Sequence, residues 1–175
     1  MSDVSTPDRI TGLRILAVDD EPDILDTIVD VLEGAQVDRA RTYDEAIELL
    51  TPDTSGASAR DTYAVAVLDI MGVDGMRLLD RTVDEGIPTV MLTAHAMNPE
   101  TLKASIQNGA LSYLPKEELA NLAEHITDVL DAIEAGQSTW KRLFTRMGNF
   151  FEKAFAPNFK SDDPEFWAMY YTAAV

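Results

Sequence analysis

Apolar and polar positions along the 175-residue chain follow two alternating rhythms. Short, nearly unbroken apolar runs give way to stretches in which apolar residues return every three or four positions. Leu13 to Val18 is such a run, and it stops at Asp19-Asp20, as a buried parallel strand does. Pro22 then stands at a first helical position. Ile24, Leu25, Ile28, Val31 and Leu32 follow at helical spacing, with Gly34 as the stop. A weak strand is predicted over 36–41 and a short helix over 44–50. Thr51 to Asp61 is rich in Pro, Ser and Gly and reads as an exposed loop. The second strong strand runs from Tyr63 to Leu68 and ends at Asp69. A helix over 74–85 leads to a strand over 88–92 that ends at Thr93. A helix over 98–108 stops at Gly109, a last strand covers 111–114, and a longer helix covers 117–134 with Gly136 as its end.

Strand and helix thus alternate five times, the pattern of an α/β fold whose parallel sheet is covered on both faces. Ligands of such sheets bind outside the carboxyl ends of the strands, where the strand order switches. Asp19, Asp20, Asp69, Thr93 and Lys116 all fall at such ends, and they are predicted to meet in one crevice.

The pattern changes near Gly136-Gln137. Of thirteen aromatic residues, ten lie beyond it, including every Phe and Trp. Trp140, Leu143, Phe144, Met147, Phe151, Ala154 and Phe155 form an apolar stripe on one predicted helix, and Asp163-Pro164 opens a second. Three units follow from this reading: a flexible N-terminus over 1–12, an α/β body over 13–136, and an aromatic helical extension over 137–175. An exposed stripe of this size is foreign to a soluble monomer. The extension is expected to dock on its own body or on a second copy, ahead of a separate partner or a membrane surface.

Charge narrows the functional classes. The formal net charge is −17, yet residues 137–175 carry five basic and four acidic side chains, so the rest holds −18. An acidic body repels phosphate backbones, and the near-neutral extension lacks a basic recognition surface. No nucleic-acid partner is expected. There is no cysteine, hence neither disulfide nor thiolate metal site. Residues 1–12 have no apolar signal segment, and no run approaches the ~20 residues of a membrane helix. A cytoplasmic protein with little membrane contact is the expectation.

Taken singly, Asp19-Asp20 is a solvated turn and Lys116 a surface lysine. Together, three carboxylates in one crevice raise each other's pKa unless a cation intervenes. Mg²⁺, a hard ion that takes carboxylates, water and phosphate, suits such a set. A carboxylate beside it can attack phosphorus, with an ammonium and a hydroxyl balancing the equatorial oxygens.

Several segments carry a family resemblance: Ile15 to Leu25 with Asp19-Asp20-Glu21-Pro22, Val67 to Met71 with Asp74-Gly75, Met91-Leu92-Thr93-Ala94, and Gly109 to Lys116. Over about residues 13–135 the chain resembles the receiver domains of two-component response regulators. The resemblance implies a flavodoxin-like, doubly wound sheet of five parallel strands in the order 2-1-3-4-5. It implies that Asp69 accepts a phosphoryl group from a sensor histidine kinase or phosphotransfer protein. Asp19, Asp20, Asp69 and the Met71 backbone carbonyl would hold Mg²⁺, Lys116 would pair with the phosphate, and Thr93 and Tyr113 would switch, with Ala94 leaving Thr93 access. The resulting function is a phosphorylation switch acting through protein contacts, without a DNA-binding output and with no catalysis beyond its own phosphorylation and dephosphorylation. A homodimer through the extension is a further expectation, and the alternative function is a phosphorylation-independent pseudo-receiver. An aspartate-nucleophile phosphatase would place an acid where Met71 stands, and a flavin phosphate would be repelled by Asp19-Asp20-Glu21. The chain departs from the family twice: the loop from Asp69 to Asp74 is short and lacks proline, and Glu117 follows Lys116 where proline is usual. Without proline a cis bond costs roughly 3 kcal/mol, so a trans bond is expected there.

Overall fold

The computed structural model describes residues 9–52, 54–94, 98–155 and 157–171. Five strands, β1 (Arg14–Val18), β2 (Gln36–Ala40), β3 (Val65–Asp69), β4 (Thr89–Thr93) and β5 (Ser112–Pro115), form one parallel sheet in the order β2-β1-β3-β4-β5. The helices are α1 (Pro22–Val31), α2 (Tyr43–Leu50), α3 (Ala59–Thr62), α4 (Gly75–Asp84), α5 (Pro99–Gln107), α6 (Leu122–Glu134), α7 (Thr139–Ala154) and α8 (Pro164–Tyr171). Right-handed crossovers place α1 and α6, which touch, on one face and α2 and α4, which also touch, on the other.

The central strands β3 and β4 are buried at every position, which is why they read as unbroken apolar runs. Edge strand β2 buries only Ala40 fully, and its sequence signal is correspondingly weak. Register fixes the crevice: Asp69 pairs with Leu92, and Thr93 with Pro115, so the strand ends line up one residue apart.

Three expectations change. Ile10 is fully buried, its carbonyl accepts the Leu13 N–H, and Arg9 pairs with Asp131 and Glu134. The packed body therefore begins before residue 13; residues 1–8 lie outside the described set. Second, the segment read as loop ends in α3, capped by Ser58, whose hydroxyl accepts the Asp61 N–H. A four-residue helix has too little length to show a period. Third, the last helix of the body begins as a 3-10 turn, Lys116–Asn121, before α6. No cis peptide occurs among the described residues, and the Lys116–Glu117 bond is trans.

The extension packs on its own body. Trp140 at the start of α7 donates its Nε1–H to the Ala110 carbonyl at 2.9 Å, in the turn that leads to β5. Further along α7, Phe151 is fully buried with its ring 6.3 Å from that of Tyr113. At the far end Lys103 of α5 pairs with Asp163 at 2.6 Å and lies over the Phe166 ring. The aromatic stripe is thus covered within one chain.

Candidate functional site

Strand β1 delivers Asp19 to the crevice and then releases the chain, the Asp19 N–H still bonding to the Ala40 carbonyl. Asp19 is completely buried, whereas Asp20 and Glu21 are exposed at the rim. One Asp19 oxygen, Oδ1, accepts the Glu21 N–H at 2.9 Å and so helps to start α1. The other, Oδ2, lies 2.7 Å from Lys116 Nζ, an ion pair whose angles fall outside hydrogen-bond geometry. Lys116 is the first residue beyond β5 and reaches across β3. Its ammonium also stands 3.3 Å from Asp69 Oδ1 and 3.4 Å from Glu21 Oε1.

These are nearly dry charges. Burial raises the Asp69 carboxyl to about 6, with Asp19 adding to the rise, Lys116 opposing it and Asp20 contributing last. Burial likewise raises Asp19, partly offset by Lys116. Burial alone would lower the Lys116 ammonium, but Asp19 and Asp69 outweigh it and hold it above the ordinary lysine value. One lysine balances two buried carboxylates, leaving an excess of negative charge that Asp20 and Glu21 increase.

The structure brings together Asp19, Asp69 and Lys116 directly. Asp20 adjoins them, and Thr93 ends β4, buried and one residue beyond the strand partner of Asp69. Met71 is different: it is 73% exposed. Its neighbour Gly72, at φ +84°, is pressed against Asp20, where a Cβ would come within 2.7 Å of the carboxylate. The chain at Gly72 therefore passes close to Asp20. The short loop closes on a left-handed Asp74 (φ 54°) and on Gly75, whose Cβ would sit 2.0 Å from the Asp69 carbonyl oxygen. Only glycine allows that approach.

Tyr113 lies one layer beneath. It is wholly buried, and among the described residues its hydroxyl has no hydrogen-bond partner. Burial pushes that hydroxyl up to about 12, and Thr93, the polar side chain beside it, offsets the rise slightly without standing in bonding geometry.

Two contributors were missed by sequence reasoning. Glu21 has a carboxylate oxygen within 4.8 Å of oxygens of Asp19 and Asp20, so the three form a clustered acidic trio. Its signal was the unbroken run Asp19-Asp20-Glu21. Gly72 gave no signal beyond being a glycine in a loop. Every donor offered is a carboxylate or backbone oxygen, the chemistry Mg²⁺ prefers over softer metals. Because both Asp19 oxygens already have partners, the exposed Asp20 is the carboxylate best placed to bind a cation directly.

Known proteins are similar to this chain in sequence and in fold. The response regulator receiver domain model matches residues 15–127. The two-component response regulator ARR10 of Arabidopsis thaliana is 30% identical over 122 residues, covering 66% of this chain and 21% of that protein. ORR23 of Oryza sativa is 31% identical over 122 residues, covering 66% of this chain and 17% of its own length. The chain spans about a fifth of the length of these curated relatives. Among solved structures, a CheY-like receiver domain protein from Methanospirillum hungatei superposes with a TM-score of 0.59 at 28% identity, covering 72% of this chain and 99% of that one. A response regulator from Thermotoga maritima has the same fold, with a TM-score of 0.58 at 19% identity over 69% of this chain and 98% of that one. Phosphorelay signalling and Mg²⁺ binding are characteristic of this family. The chain belongs to the receiver domain family of two-component response regulators.

Proposed function

We propose that this chain is a phosphorylation switch in which Asp69 accepts a phosphoryl group from a sensor histidine kinase or phosphotransfer protein. The observation that carries the reading is Lys116 Nζ held between two buried carboxylates, 2.7 Å from Asp19 and 3.3 Å from Asp69, at the carboxyl ends of β1, β3 and β5. A lysine used only for packing would not be lodged against both.

With its carboxyl near 6, Asp69 is largely ionised at neutral pH and available as a nucleophile. One carboxylate oxygen forms a bond to phosphorus as the bond from phosphorus to the donor imidazole nitrogen breaks. The electron pair leaves with that nitrogen. Lys116 would neutralise one phosphoryl oxygen, and the Thr93 hydroxyl would donate to another. Asp20, Asp19, Asp69 and the Met71 carbonyl, with Glu21 at the rim, would hold Mg²⁺. The ion supplies further charge cancellation on the transferring group. Attack by water on the acyl phosphate returns the carboxylate, so the chain catalyses only its own phosphorylation and dephosphorylation.

Output passes through protein contacts in the cytoplasm. No helix among the described residues is long and apolar enough to cross a membrane. In the extension, Arg146 pairs with Glu124 and Asp128 and Lys160 with Glu152, so part of its basic charge is already neutralised.

The test is intact mass after incubation with a small phosphodonor and Mg²⁺. Wild type gains one phosphoryl group, and the Asp69→Asn variant and the Mg²⁺-free sample gain none. Unmodified wild type under saturating donor would favour a pseudo-receiver, a reading that the tight loop from Ile70 to Asp74 keeps in play.

A further inference from the structure

The extension sits on β5, the strand paired with Thr93, and on α5, the next helix along the chain. It covers β5 directly, through Phe151 on Tyr113 and Trp140 on the Ala110 carbonyl. It also holds α5, through the ion pair of Asp163 with Lys103. Between these anchors the rings are continuous. Phe151 meets Phe155 at 5.7 Å, Phe155 meets Phe159 at 4.9 Å, Phe159 meets Trp167 at 5.2 Å and Trp167 meets Phe166 at 5.1 Å. A movement at Tyr113 therefore has a packed route to α8.

Tyr113 is where such a movement would begin. Its hydroxyl is buried without a partner among the described residues, while the Thr93 hydroxyl lies beside it. A threonine hydroxyl has one proton and two lone pairs. When the Thr93 O–H donates a hydrogen bond to a phosphoryl oxygen, its lone pairs face the Tyr113 O–H as acceptors. The buried position of Tyr113 then gains the hydrogen bond it lacks, and Phe151 rests on that position.

We propose that the extension formed by α7 and α8 is a built-in output element whose docking on β5 and α5 tightens when Asp69 is phosphorylated, with Thr93, Tyr113 and Phe151 as the link. The proposal rests on the Asp69 reading above. Coupling of this kind is reciprocal, so a loosened extension weakens the phosphorylated state by the same factor.

The experiment is hydrogen exchange on the full chain, comparing amides of 139–154 with amides of β1 as an internal reference. Intact mass reads phosphoryl occupancy in the same samples. Phosphodonor with Mg²⁺ slows exchange in 139–154 by about fivefold relative to β1, a typical coupling between linked sites. Tyr113→Phe removes the unpartnered hydroxyl, so its extension exchanges slowly already without donor and changes little on phosphorylation. Unchanged or faster exchange in a phosphorylated wild type overturns the proposal. So does an unmodified Tyr113→Phe chain that exchanges like wild type, whatever happens at Asp69. If wild type takes no phosphoryl group while Tyr113→Phe still slows the extension, the link from Tyr113 to the extension stands and the Asp69 reading fails.

Discussion

Replacing Asp69 by asparagine stabilises the metal-free protein at neutral pH, although it removes the proposed reactive group. The carboxyl lies almost out of solvent beside Asp19, with Asp20 near and only a shared Lys116 to balance it. Its folded value of about 6 exceeds the ordinary 3.8 of an unfolded aspartate by about two pH units. At 1.36 kcal/mol per unit this amounts to about 3 kcal/mol, an upper bound because neighbouring side chains relax. The sign follows from the raised value. Below pH 4 folded and unfolded chains both hold the proton, and the group's contribution is fully present. It is lost as pH rises through 6, where folding must keep an anion in a dry acidic pocket. Asparagine has no such loss, and Lys116 keeps its 2.7 Å contact with Asp19. Urea denaturation in EDTA, followed by circular dichroism at pH 4.5 and 7.5, reads the difference. The variant should gain about 1–3 kcal/mol over wild type at pH 7.5 and little at pH 4.5. Burial lowers His125 to about 4, so it weakens both proteins alike as pH falls, which is why only the difference between them counts. A variant no more stable than wild type at pH 7.5, or a gain independent of pH, would refute the reasoning.

Mg²⁺ should raise the wild-type melting temperature, and Asp20→Ala should remove most of that rise; equal rises would place the ion elsewhere. Gly72→Ala pushes a Cβ to 2.7 Å from the Asp20 carboxylate, so the Mg²⁺-dependent rise should shrink in melting curves taken with and without the ion. Lys116→Ala leaves two buried carboxylates without a cation and should cost about 3–5 kcal/mol in metal-free urea denaturation, less at low pH where both protonate. Phe151→Ala opens a cavity under Tyr113 and should cost about 3–5 kcal/mol by the same assay.

The site was legible because its residues stand at strand ends, where an abrupt change from apolar to charged marks both the end of burial and the mouth of the crevice. Asp19, Asp69 and Lys116 announce themselves in this way, and Thr93 does so as a polar residue closing an apolar strand. Contacts that depend on loop path did not. Gly72 matters because the short loop presses it against Asp20, and Gly75 because it lies on the Asp69 carbonyl, and neither distance has a periodic signature. Ile10 shows the same limit: one apolar residue in a polar stretch carries no pattern, yet it is wholly buried. For the extension, helical spacing showed that one face needed cover. The cover itself, Tyr113 and the Ala110 carbonyl, lies about thirty residues away in sequence or more, and only the folded chain reveals it.

Mapping the modified residue tests the central claim most directly. The 175-residue chain is phosphorylated with a small donor and Mg²⁺ and reduced with borohydride, which converts an aspartyl phosphate to homoserine. It is then digested and sequenced by mass spectrometry. The account predicts homoserine at position 69 alone, absent without Mg²⁺. Homoserine at Asp19 or Asp20, or none in a sample saturated with donor, would contradict it.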